Sequence, residues 1–320
     1  MADGTEGHPA DINRGSASGD GGGSNAAPEA QIEVGGKTIM EKTLKKYFLV
    51  FTLPTLVAFA FAFIIPFAQG IYLSFCNFTT VSNAKWVGLE NYKKAFGSSQ
   101  GFMNAFGFTA GFTVISIITI NVIAFSLALL LTRKIKGTNL FRTVFFMPNL
   151  IGGIVLGYTW QQMINAILYS YGKTIVSDAK FGFIGLVLLM NWQMVGYMMI
   201  IYIAGLQNVP TDLLEAAHID GATSWQTLIK VKLPMVMSSI TICVFLTLSN
   251  SFKLFDQNKA LTNGAPMNKT QMLALNIYET FYGKTGFEGV GQAKAVMFFI
   301  AVAVIALLQL SFTRSREVEQ

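Results

Sequence analysis

The stretch 207-QNVPTDLLEAAHIDGATSWQTLIKVKLP-234 lies between two long apolar runs, yet it is polar and patterned like two short helices. Pro210 ends the helix before it. Asp212 can cap a new helix, with Glu215 three residues on, in the spacing of a capping box. Ala216 and Ala217 are small and let another surface approach closely. Gly221 supplies a turn that a Cβ would strain. Thr223 and Gln226 repeat the capping-box spacing, and Pro234 opens the next apolar run. The expected product is a compact helix-turn-helix with a spanning helix at each end. From these residues alone it is either an ordinary structured loop or a coupling element through which a moving partner drags both helices.

Working outward, apolar runs dominate the chain. Of 320 residues, 52% are hydrophobic and only 12% charged, about half the charged share of a soluble domain. A helix crosses a bilayer core with about 20 mainly apolar residues. Six such spans are expected, at about 48–71, 106–131, 144–164, 181–206, 234–255 and 295–312. The fold class is therefore an all-α membrane protein with six transmembrane helices. Residues 1–40, rich in Gly, Ala, Ser and Asp, read as a disordered tail, and 41–320 as one membrane domain. Lys42, Lys45 and Lys46 precede the first span, Arg133, Lys134, Lys136 and Arg142 crowd the loop after the second, and Arg314 and Arg316 follow the sixth. That bias puts both termini and the 207–234 loop in the cytoplasm. Lys85, Lys93, Lys94, Lys253, Lys259, Lys269, Lys284 and Lys294 fall to the longer loops opposite.

The same composition excludes several classes. The net charge of +6 is spread in short clusters beside apolar spans, which argues against nucleic-acid binding. Two cysteines, Cys76 and Cys243, read as buried free thiols, and His8 and His218 give a metal site or triad almost nothing to use. Three Gly-Lys-Thr triplets, at 36–38, 172–174 and 283–285, mimic the end of a phosphate-binding loop. The required earlier glycine is replaced by Gln31, Ile167 and Tyr278. No catalytic residue is assigned and the chain is not expected to be an enzyme.

Glu215-Ala216-Ala217, then Gly221, Val231, Leu233 and Pro234 resembles, at full spacing, the EAA loop of binding-protein-dependent ABC importers, with Val231 in place of an isoleucine. Trp86-Val87-Gly88-Leu89-Glu90-Asn91-Tyr92, Phe255-Asp256, Leu261-Thr262-Asn263-Gly264-Ala265-Pro266 and Gln292-Ala293-Lys294-Ala295 resemble stretches of the maltose-type sugar permeases within that family. The resemblance spans roughly 45–312. It implies a permease subunit of an ATP-driven carbohydrate importer in a bacterial or archaeal cell membrane. It further implies a second permease, an extracellular solute-binding protein and two ATPase subunits that hold ATP and Mg. Glu215, Ala216, Ala217, Asp220, Gly221, Leu233 and Pro234 would form the ATPase contact.

Sugars present hydroxyls and flat apolar faces, which amides, hydroxyls and aromatic rings satisfy. Polar side chains inside spans are costly unless they face a cavity or a neighbour. Asn149, Trp192, Gln193, Tyr197, Thr247, Asn250 and Ser251 are the candidate substrate-pathway residues. Bonding between helices is the alternative for each. The resemblance favours Trp192, Tyr197, Thr247 and Ser251 and places Gln193 and Leu254 where that family's site differs, so the sugar itself stays open. Trp160-Gln161-Gln162 reads as interfacial anchoring, and Lys253 and Asp256 as outward-facing. The alternatives are a permease for glycerol-3-phosphate or another small solute, or a self-contained transporter or channel. Spans three to five carry no deep cation for a phosphate, and the spans show no internal repeat.

Overall fold

The computed structural model describes residues 47–48, 50–133 and 136–314. The expected 1–40 tail, Lys42, Lys45, Lys46, Lys134 and Arg316 lie outside the described residues. The chain divides into two units, Met1–Ile65 and Pro66–Gln320, and the boundary falls inside the first apolar helix, α1 (Val50–Ser74). The described part of the first unit is helical, with a π-turn at Ala60–Ile64 and Phe59 stacked on Phe63 at 5.5 Å.

The second unit continues from the end of α1 into a two-residue hairpin, β1 (Cys76–Asn77) against β2 (Lys85–Trp86), a small addition to an otherwise helical chain. α2 (Glu90–Ala95) follows. Lys94, 2.6 Å from Glu90, holds that carboxyl below the usual range through a hydrogen bond and its charge. Asn91 explains the Gly-Leu-x-Asn-Tyr stretch physically. It is buried and donates to the carbonyls of Ser74 (3.0 Å) and Cys76 (2.8 Å), while the Tyr92 hydroxyl meets Ser74 Oγ at 2.6 Å. The two Asn91 bonds satisfy carbonyls left open where α1 ends.

α3 (Phe102–Leu131) is an unbroken span of 30 residues. Its buried positions Thr109, Phe112, Thr113, Ser116, Ile120, Ala124, Ala128 and Leu131 recur every three or four residues, so one stripe faces the protein. α4 (Thr138–Phe146), the 3-10 turn Met147–Leu150 and α5 (Gly153–Leu168) replace the single span expected at 144–164. The two halves meet at a 100° bend. Pro148 interrupts the hydrogen-bond ladder, and Ile151 and Gly152 adopt extended backbone between the halves. α6 (Ala179–Gln207) starts at Asp178, whose carboxylate accepts from the Lys180 amide at 2.9 Å.

α7 (Thr211–Ile219) and α8 (Ser224–Thr227) form the polar loop. A π-turn (Leu228–Lys232) and α9 (Leu233–Met235) lead to a 71° bend at Val236 and then α10 (Met237–Phe252). The fifth span is therefore also broken, and Pro234 lies one turn before its membrane half. α11 (Asp256–Leu261), α12 (Leu273–Gly283) and α13 (Glu288–Arg314) complete the fold. Among the described residues, four helices are long and apolar enough to cross a membrane, or six spans if each bent pair is one.

α6 lies at the centre, against α3, α4, α5 and α10. A Cβ on Gly196 would collide with the Phe145 carbonyl, so α4 crosses α6 backbone to side-chain-free backbone. A Cβ on Gly157 would strike the Ala260 methyl, which brings α5 and α11 equally close. Such small-residue contacts supply the packing that lipid cannot. Lys294 departs from the outer-loop position expected of it. It lies inside α13, fully buried, and its ammonium donates to Asn276 Oδ1 (2.8 Å), Thr280 Oγ1 (2.7 Å) and the Gln100 carbonyl (3.0 Å). Three donors meet three acceptors, so the charge is buried fully hydrogen-bonded. Cys76 and Cys243 are buried free thiols, as expected.

Gly196→Ala should lower the stability of the purified protein by about 3 kcal/mol, the upper end of overpacking costs. Gly111→Ala, with open space where its Cβ would go and a better helix former in its place, should not lower it. Equal melting temperatures for the two variants would refute the backbone contact.

Candidate coupling loop and substrate pathway

α7 begins at Thr211 with Pro210 as its N-cap, and no side chain caps it. Asp212 is therefore not the expected cap, and no Asp212–Glu215 capping box forms. It sits in the first turn, where a carboxylate complements the helix dipole. Pro210 takes the cap position because its restricted backbone suits the extended entry, φ −57° and ψ 133°.

The other end of α7 agrees with the sequence. The Gly221 amide bonds the His218 carbonyl at 3.1 Å and the Ala222 amide bonds the Ala217 carbonyl at 3.0 Å. This is a Schellman ending, and Gly221 sits at its left-handed position, φ +72°. The expected capping box of α8 is present: the Gln226 amide donates to Thr223 Oγ1 (3.3 Å) and the Thr223 amide to Gln226 Oε1 (2.8 Å).

α7 presents two different faces. Glu215, Ala216 and Ile219 are exposed, Ile219 to 84%. Leu214 and Ala217 are half-buried toward the bundle. Asp220 and Gly221 are exposed at the turn, while Leu233 and Pro234 are half-buried in the break. The loop's two anchors touch: a Cβ on Gly205 of α6 would collide with the Ser239 side chain of α10. The ends of both spans therefore sit together, with the loop between them.

The seven pathway candidates differ in exposure and in partners. Trp192 is 45% exposed and packs against Trp160 with ring centroids 5.8 Å apart. Asn250 is exposed, whereas Asn149 and Tyr197 are half-buried, Tyr197 beside Phe146. Thr247 and Ser251 are fully buried. Thr247 donates to the Cys243 carbonyl at 2.8 Å, and Ser251 donates to Met190 Sδ at 3.7 Å.

Gln193 is buried and accepts from Gln257 Nε2 at 2.8 Å while donating to the Ile151 carbonyl at 3.3 Å. It thus fastens the broken third span and α11 to α6. Gln161 reaches the Leu261 carbonyl at 2.8 Å, so this residue of the expected interfacial anchor instead closes the end of α11. Lys253 and Asp256 are exposed, as expected.

Sequence reasoning passed over a polar chain between α3, α6 and α10. Tyr202 donates to Asn121 Oδ1 at 2.7 Å, and Asn121 Nδ2 approaches Thr247 Oγ1 at 3.4 Å. An asparagine inside an apolar 30-residue run was the available signal.

The model of the family described as "Binding-protein-dependent transport system inner membrane component" matches residues 121–317. The chain belongs to that family. The loop, the broken spans and the Gly205–Ser239 contact all fall within the matched segment. The chain is 45% identical to the "Probable starch degradation products transport system permease protein AmyD" of Thermoanaerobacterium thermosulfurigenes over 85% of its own length and 96% of that protein. It is 33% identical to the "Multiple sugar-binding transport system permease protein MsmF" of Streptococcus mutans over 87% and 99%. Among solved structures it is similar in fold to a bacterial ABC transporter involved in importing the acidic polysaccharide alginate, with a TM-score of 0.73 at 19% identity, over 86% of this chain and 98% of that one. The chain is thus a multi-pass membrane protein of the ABC importer permease fold.

Gly221→Ala should loosen the α7–α8 turn by about 1 kcal/mol, the cost of a left-handed Cβ. Thr223→Ala should cost a similar amount, about 1 kcal/mol, through the lost cap. Limited proteolysis between residues 208 and 236 should accelerate in both, and unchanged cleavage in either would contradict the assigned turn.

Proposed function

We propose that the chain is the permease subunit of an ATP-driven importer of di- or oligosaccharides in a bacterial or archaeal cell membrane. It pairs with a second permease and two ATPase subunits, and receives sugar from an extracellular solute-binding protein. Both termini and the 207–234 loop face the cytoplasm. ATP and Mg sit on the ATPase subunits, and this chain carries no catalytic residue. The relative named for starch degradation products, matched over nearly its whole length, carries the sugar reading.

The exposed face of α7, with Glu215 and Ala216, is suited to seat in an ATPase cleft. Force on it passes through the Gly221 and Thr223 turns into the ends of α6 and α10, which Gly205 and Ser239 hold together. The two spans then move as one unit. A bundle that alternates between two states, with different affinity for sugar in each, releases it inward. Trp192 offers a ring face, and Asn149, Tyr197 and Asn250 offer polar groups to that pathway. Thr247 and Ser251 are enclosed in this conformation and join it only when the bundle opens. Gln193 acts by holding the break.

Glu215→Lys in the assembled transporter should cut binding-protein-stimulated ATPase activity by about tenfold or more, since it reverses a charge at a docked contact. Membrane insertion should be unaffected. Trp192→Ala should lower maltodextrin uptake while leaving stimulated ATPase activity largely in place. Wild-type coupling in the Glu215 variant would overturn the loop assignment, and wild-type uptake in the Trp192 variant would remove that residue from the pathway.

A further inference from the structure

A cleft of about 730 Å³ opens beside α7, where Leu214 and His218 line it. Leu129 in the last turn of α3, Leu206 at the end of α6 and Leu214 of α7 line it, giving it an apolar floor. Arg133, His218 and Lys232 also line it, and no acidic residue does. Neither Arg133 nor Lys232 forms an ion pair among the described residues. Trp225, 69% exposed, also lines it. The cleft lies where two apolar spans end and the fifth begins, which is the depth of the membrane surface.

We infer that this cleft binds the headgroup of an anionic phospholipid, with the phosphate between Arg133 and Lys232 and the first acyl carbons on the leucine floor. The charge balance selects an anion, because two basic side chains face the cleft without a carboxylate. The leucines select an amphiphile, because a free phosphate would leave that apolar surface bare. The membrane supplies such a molecule at this depth, and basic pockets between spans on the cytoplasmic side suit acidic headgroups. Tryptophan belongs at the same level. On the proposed coupling scheme the ATPase takes the face with Glu215, Ala216 and Ile219, none of which lines the cleft, so both ligands fit on α7 together. A lipid there ties the loop to the bilayer surface.

Native mass spectrometry of the complete transporter, purified with phosphatidylglycerol and phosphatidylcholine in equal amounts, tests this. Wild type should retain phosphatidylglycerol in preference. Arg133→Gln with Lys232→Gln should reduce that retention on the order of fivefold for each charge removed. Arg133→Lys with Lys232→Arg should restore it, and it remains readable if the neutral pair fails to assemble. Millimolar inorganic phosphate should not displace the lipid. Equal retention of the two lipids by wild type, undiminished retention by the neutral pair, or no retention by the charge-keeping pair would overturn the inference. Displacement by phosphate alone would make the cleft a soluble-anion site. A wild-type chain that assembles with no ATPase would instead count against the coupling scheme and leave the lipid result standing.

Discussion

Everything in this fold depends on how closely other elements approach α6. Four of its glycines stand where a neighbour passes: Gly182 against Thr270, Gly185 against Ile175, Gly196 against the Phe145 backbone and Gly205 against Ser239. In a bilayer, apolar side chains gain little by leaving lipid, so helices associate through close contact and hydrogen bonds. α6 supplies the contact by lacking side chains at four heights. The broken third span, the start of α10 and the 262–272 region are each seated on one of these gaps.

Hydrogen bonds then fix what the glycines bring together. Gln193 occupies the carbonyl that the third-span break leaves open at Ile151 and reaches Gln257 with its other end. Tyr202, Asn121 and Thr247 link three spans in a single polar chain. In a low-dielectric interior an unsatisfied polar group is costly, so these residues specify one arrangement of the spans. Residues that look like substrate contacts in a list of polar positions therefore divide by geometry. Gln193, Thr247 and Ser251 are engaged within the bundle, whereas Trp192 and Asn250 are open.

The sequence reveals what is local. The α8 capping box and the Gly221 turn depend on residues within a few positions of one another, and both were legible. So were the uninterrupted spans α3 and α6, from apolar length alone. The bend at Ile151–Gly152 was not, because Pro148 and two glycines inside an apolar run fit an ordinary kinked span. What stabilises a 100° bend there is Gln193 and Gly196, more than 40 residues away. Lys294 was misplaced for the same reason: a lysine before an apolar run looks like a loop charge until Gln100, Asn276 and Thr280 are known to meet it. Buried and open faces of α10 were equally hidden, since Thr247, Asn250 and Ser251 all lie in one apolar stretch.

Both π-turns, Ala60–Ile64 and Leu228–Lys232, end two residues before a proline, at Pro66 and Pro234. Each inserts one extra residue into a helical circuit, and one residue is about 100° of rotation. Side chains from Leu233 to the bend at Val236 are therefore turned by that angle from where a regular wheel would draw them. The azimuth at which α10 presents Ser239 to Gly205 follows from the insertion and the 71° bend together. The π-turn before the leucine–proline end of the motif, with the bend after it, thus sets the angular phase of the helix that follows.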